Sequence, residues 1–208
     1  MTKGRLEAFT DGVMAVIITI MVLELKVPHG DDLSALHGMG PVFLSYVLSF
    51  VYVGIYWNNH HHMLAVVSRV TGGAMWANLH LLFWLSLVPV CTGWVGDHPS
   101  APWPVALYGV ALLMAALAWL ILEKAIIARN GARSELALAV GPDWKSKVSG
   151  LVYAVAIPMS FVRPWAAELL YAAVATIWVV PDRRIEARAD MGPEGNRPHA
   201  DDPAHGQR

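Results

Sequence analysis

Arg5-Leu6-Glu7-Ala8-Phe9-Thr10-Asp11 runs directly into Gly12-Val13-Met14-Ala15-Val16-Ile17-Ile18-Thr19-Ile20-Met21-Val22-Leu23, and the reading of this stretch decides the fold. The second half is long and apolar enough to complete a membrane helix of about 20 residues. The first half carries Arg5, Glu7 and Asp11 into its mouth. Asp11 lies six residues beyond Arg5, about 9 Å along a helix that rises 1.5 Å per residue. Ionisable groups at such depth are costly in hydrocarbon, so they face protein or water and mark function. A cleaved leader is the competing interpretation. The two acids interrupt its basic region, however, and Glu24-Leu25-Lys26-Val27-Pro28 stands where a small-x-small cleavage site would lie, so the segment is expected to be a retained span.

The rest of the chain fits a membrane protein. Hydrophobic residues make up 56% of its 208 residues, charged residues only 15%, and the mean hydropathy is +0.46. Soluble domains carry about one quarter charged residues. A formal net charge of -1 argues against nucleic acid as a partner. The single cysteine, Cys91, excludes an intrachain disulfide and a multi-cysteine metal site.

Six apolar segments are expected to be helices, over about 5–27, 41–67, 74–95, 104–128, 147–162 and 165–180, with Pro, Gly and Asp punctuation between them. The fold class is therefore an all-α integral membrane protein with six transmembrane helices per subunit. Even numbers of spans put both termini on one side. With the termini cytoplasmic, the inner side collects ten Lys and Arg residues, from Lys3 and Arg5 to Arg183 and Arg184, against Lys26 and Arg163 outside. This gives a transmembrane domain over 1–180 and a charged, Pro- and His-containing tail over 181–208, expected to be disordered and cytoplasmic. The location is a prokaryotic plasma membrane, crossed several times.

This topology sets polar residues of three helices at one depth near the cytoplasmic end: Asp11 of the first, Asn58 to His62 of the second, Asn78 and His80 of the third. Arg5 and Asp11 are about 240° apart around the helix and do not face each other. Arg5 shares a face with Phe9, and Asp11 finds its natural partners in His80, Asn78 or His60–His62. The layer reads either as a polar network pinning three helices or as a direct participant in ion passage. His60, His61 and His62 point about 100° apart and do not converge on one ion, so no metal and no haem is expected.

On the first helix Gly12, Val16, Thr19 and Leu23 fall at i, i+4, i+7 and i+11, one stripe with Ile20 at its edge. It reads as an ordinary packing face. Turned toward symmetry mates, the same stripe makes stacked rings, a constriction that gates by dewetting and sorts cations by dehydration.

The segment Arg5-x-x-x-Phe9-Thr10-Asp11-Gly12-Val13, followed by Thr19 and Leu23-Glu24-Leu25, resembles the Arg-x-x-x-Phe-Ser-Asp signature of the transmembrane protein 175 family, bacterial relatives of the lysosomal potassium-leak channel. Tyr56-Trp57-Asn58-Asn59-His60-His61 and Trp76-x-Asn78-Leu79-x-Leu81-Leu82-Phe83-x-Leu85-Ser86-Leu87-x-Pro89 resemble its second and third helices. The last three segments match that family in number and length. The resemblance implies a homotetrameric potassium channel, weakly selective over sodium, conducting monovalent cations across the lipid bilayer without a cofactor and without a re-entrant carbonyl filter. It implies constriction rings at Val16, Thr19 and Leu23, with Gly12 and Ile20 as further pore-lining residues. Arg5, Phe9, Asp11, Asn78 and His80 would tie the first helix to its neighbours. Two departures stand out: Thr10 replaces the signature serine, and Val16 stands where a larger aliphatic residue is common.

A secondary ion- or proton-coupled transporter is the alternative function, although no internal repeat or broken first helix supports it. An enzyme is not expected, because no nucleophile-base or paired-carboxylate arrangement is evident.

Overall fold

The computed structural model describes residues 2–28, 32–67, 70–130 and 144–179, and these residues are helical apart from short connections. The helices are α1 (Lys3–Leu23), α2 (Gly40–Ala65), α3 (Gly72–Ser86), α4 (Val88–Asp97), α5 (Pro102–Asn130), α6 (Trp144–Met159) and α7 (Pro164–Val179), with a 3-10 turn over Leu33–Met39 before α2. The tail expected over 181–208 lies outside the described residues.

Local chemistry sets the boundaries. Thr71 caps α3 by accepting a hydrogen bond from the Ala74 amide at 3.3 Å. Proline lies in the first turn of α2, α4, α5 and α7, where its missing amide hydrogen has no role to lose. The third segment, expected as one unbroken helix, is two. Pro89 has no N–H for the Leu85 carbonyl, and the chain turns at Leu87 before continuing as α4. Gly72–Asp97 nonetheless remains one apolar crossing of 26 residues.

Among the described residues four segments are long and apolar enough to cross a membrane: Lys3–Leu23, Gly40–Ala65, Gly72–Asp97 and Pro102–Asn130. The fifth and sixth have the expected length, 16 residues each and shifted by one to three positions, which is about 24 Å of helix against a hydrocarbon core of about 30 Å. In α6 Pro158 precedes the end, and Arg163-Pro164 starts α7 at once.

Helix α5 is the central strut, packed against α3, α4, α6 and α7, while α2 packs on α4, α1 and α7. Close approach depends on small residues. At Gly109 of α5 a methyl group would overlap the Tyr171 hydroxyl of α7, and at Gly96 of α4 it would come within 2.9 Å of the α2 backbone at Val42. Buried hydroxyls are paired across helices: Tyr153 donates to Tyr52 at 3.2 Å, Tyr52 to the Tyr171 carbonyl at 2.6 Å, and Thr92 to Ser49 at 2.6 Å.

Helix α1 sits at the edge of this body, against α2, α3 and α4. Only 28% of its most apolar stretch is buried, and for α2 the share is 17%. Those two helices carry the candidate site.

Candidate functional site

The two sides of α1 are in different surroundings. Leu6, Thr10, Met14, Ile17 and Met21, spaced by three or four residues, are buried against the subunit. Opposite them Gly12, Val16, Thr19, Ile20 and Leu23 are exposed, Val16 at 54% and Leu23 at 76%. The stripe expected from the sequence is thus not the face that packs α1 into its own chain. Thr19 Oγ1 donates to the Val16 carbonyl at 2.9 Å. This fixes the hydroxyl along the helix and leaves oxygen lone pairs directed outward.

At the other end of α1, two layers hold it in place. In the buried layer, Asn78 of α3 donates through Nδ2 to Thr10 Oγ1 at 2.8 Å and accepts from His60 Nε2 of α2 at 3.0 Å. Thr10 and Asn78 are completely buried and His60 is 1% exposed, so each satisfies a group that water does not reach. The hydrogen on His60 is assigned to Nε2 because its partner is the amide oxygen. In the outer layer, Trp57 Nε1 of α2 donates to Asp11 Oδ1 at 3.0 Å, and His61 Nδ1 lies 3.2 Å from Glu7 Oε1. Glu7 and Asp11 are one turn apart on α1, and His61 and Trp57 are one turn apart on α2 with stacked rings 6.4 Å between centroids. The antiparallel helices therefore meet in two matched rungs.

Two sequence expectations are corrected by these distances. Asp11 pairs with Trp57 rather than with His80, Asn78 or the three histidines, because the α2 face toward Asp11 presents the indole N–H. His80 turns instead to its own helix and accepts from Trp84 Nε1 at 3.0 Å. Arg5 and Phe9 are both exposed, and among the described residues no cation–π contact joins them.

Thr10, Glu7 and Trp57 were not singled out as network residues by the sequence reading. The signal available for two of them was the four-residue spacing shared by Glu7 and Asp11 and by Trp57 and His61. The three histidine rings diverge, His60 toward Asn78 and His61 toward Glu7, with His62 edge-on to His61 at 5.7 Å. Among the described residues no group of His, Cys, Asp and Glu side chains has the arrangement of a metal site.

The family model described as "Endosomal/lysosomal potassium channel TMEM175" matches residues 5–89, which take in α1, α2, α3 and the first residues of α4. A potassium channel of Chryseobacterium sp. (strain P1-3) is 54% identical over 186 residues, covering 89% of this chain and 97% of its own length. The similarity therefore extends well past the first three spans. The endosomal/lysosomal proton channel TMEM175 of Gallus gallus is 37% identical over 83 residues, 34% of this chain and 17% of that protein. Among solved structures, the crystal structure of a lysosomal potassium-selective channel TMEM175 homolog from Chamaesiphon minutus superposes with a TM-score of 0.74 at 28% identity, over 86% of this chain and 97% of that one.

Proposed function

The chain belongs to the TMEM175 family, and from that footing we propose that it is a potassium-selective cation channel whose subunits assemble as a tetramer around a pore lined by α1. One observation carries this reading: the stripe Gly12, Val16, Thr19 and Leu23 is exposed, turned away from the other described helices of its own subunit. An apolar stripe with no partner inside the chain meets lipid or copies of itself, and closed cyclic symmetry brings four copies to one axis. The proposal has six crossings per subunit, α3 and α4 forming one, with α6 and α7 as shorter crossings. It places both termini in the cytoplasm of a prokaryote, as the distribution of Lys and Arg favours.

Around such an axis Val16 and Leu23 form hydrophobic necks, with Ile20 at their edge and the Gly12 ring below them. An apolar neck strips part of the hydration shell, and potassium holds that shell less tightly than sodium does. The Thr19 ring lies between the necks and offers hydroxyl oxygens in place of lost water. Selectivity from such rings is weak compared with a filter of backbone carbonyls. The Thr10–Asn78–His60 clamp and the Asp11–Trp57 rung then act as anchors that hold α1 against α2 and α3. Arg5, Phe9 and His80 contribute at the same end without joining that clamp directly.

The test is a Val16→Cys variant reconstituted in liposomes. Oxidation is expected to link subunits and to reduce a potassium-over-sodium current measured under bi-ionic conditions. Current that persists with no cross-linked subunits would remove α1 from the axis.

A further inference from the structure

A groove of about 870 Å³ runs between α2 and α7, away from the stripe of α1, and one carboxyl oxygen in it has no partner. We propose that this groove binds an aminophospholipid of the bilayer, its acyl chain lying along the two helices and its ammonium group donating to Glu168.

The groove has a polar end and an apolar length. Pro41 of α2 and Trp165 of α7 line the end at which both helices begin. Glu168 lies one turn in from the start of α7. Beyond it the lining passes through Val51 and Ala172 to Val179 and is almost wholly apolar. From Glu168 to Val179 is eleven residues, about 16 Å of helix, close to the ~15 Å of a single leaflet's hydrocarbon. Trp165, an exposed indole, stands at that same end, where aromatic residues mark the level of headgroups.

Glu168 Oε1 is the unsatisfied buried side-chain oxygen among the described residues. The hydroxyl groups of the groove are already bonded: Ser45 to the Thr92 carbonyl, Thr176 to the Ala172 carbonyl, Tyr171 to the Val105 carbonyl, and Tyr108 to Ser49. A buried acceptor without a donor is a standing cost, and a cationic N–H donor removes it. A plain hydrocarbon chain supplies no donor, and an anionic headgroup such as phosphatidylglycerol supplies only neutral hydroxyls beside a phosphate that repels the carboxylate. A groove with its one open acceptor at headgroup depth and a leaflet's length of apolar wall therefore matches a lipid with an ammonium group better than a helix from a second copy.

The experiment is lipid analysis of the intact oligomer, extracted in mild detergent from membranes holding phosphatidylethanolamine and phosphatidylglycerol. It does not depend on ion conduction, so its failure leaves the channel reading untouched. Wild-type protein is expected to retain phosphatidylethanolamine over phosphatidylglycerol by about tenfold, the equivalent of ~1.4 kcal/mol. Glu168→Gln keeps the size of the side chain and is expected to bring that ratio to about one. Thr176→Trp fills the groove two turns away from the carboxylate and is expected to lower retention of both lipids, with the oligomer eluting unchanged. Equal retention of the two lipids by wild-type protein, or an unaltered ratio in Glu168→Gln, overturns the proposal. So does an inter-subunit disulfide between Leu44→Cys and Leu169→Cys, which would show a second copy in the groove.

Discussion

Helix α5 buries 50% of its most apolar stretch inside the subunit, whereas α1, also long and apolar enough to cross a membrane, buries 28%. On α5 the buried residues include Tyr108, Ala111, Leu112, Ala115, Ala118, Leu122 and Ile126, and four other helices pack against it. On α1 they form one narrow line from Leu6 to Met21. Apolarity places both helices in the same solvent without saying which neighbours each one serves. What separates them is the width of the buried stripe, and in the proposed assembly the unburied side of α1 is the side that meets its copies.

The sharpest way to break this contrast is to truncate the buried side of each helix. Leu112→Ala on α5 and Met14→Ala on α1 each remove a side chain that is 1% exposed, and each is expected to cost about 2–5 kcal/mol in thermal unfolding of the detergent-solubilised protein. A smaller loss at Met14 alone would mean that α1 is held by its polar anchors more than by its apolar line.

The next largest effect is expected from Asn78→Ala, which leaves the Thr10 hydroxyl and the His60 N–H buried without partners. The cost is about 1–3 kcal/mol per stranded group, again read from unfolding. An unchanged midpoint would show that water enters the layer.

Val16→Asn tests the exposed side. Stability should stay within about 0.5 kcal/mol of wild type, because the residue touches little of its own chain. Unitary conductance should rise several-fold as a polar ring wets the neck. Wild-type conductance would take Val16 out of the constriction.

The smallest change is expected for Thr19→Ala. The fold is retained and the potassium-to-sodium permeability ratio, from bi-ionic reversal potentials, falls by less than about tenfold, the equivalent of ~1.4 kcal/mol. An unaltered ratio would leave the hydroxyl ring with no part in discrimination.

How much of this the sequence disclosed follows from range. The first four crossings are each visible as one apolar block, because length and hydropathy are properties of a single helix. The exposed line Gly12, Val16, Thr19 and Leu23 is likewise a matter of spacing within one segment. The bend at Leu87 was in reach, since Pro89 lies inside the third block, but hydropathy reads straight through a proline. The partner of Asp11 was harder. Depth alone nominated His80, Asn78 and three histidines, while the rotation of α2 about its own axis chose Trp57. The unpartnered oxygen of Glu168 depends on how α7 lies across α2, and a one-dimensional pattern does not contain that crossing.

The anchors on α1 have a consequence for its angular phase. Taking Thr10 as the zero direction, Glu7 and Asp11 project at about 60° and 100°, while Gly12, Val16, Thr19 and Leu23 cluster near 200°. The helix is keyed from two directions at its base, as a lock bit is, and its free edge is left aimed at the opposite quarter. Twist transmits rigidly along a hydrogen-bonded rod. Loosening Asn78 or Trp57 would therefore re-aim side chains several turns away, and permeation defects should map to residues that no ion ever meets.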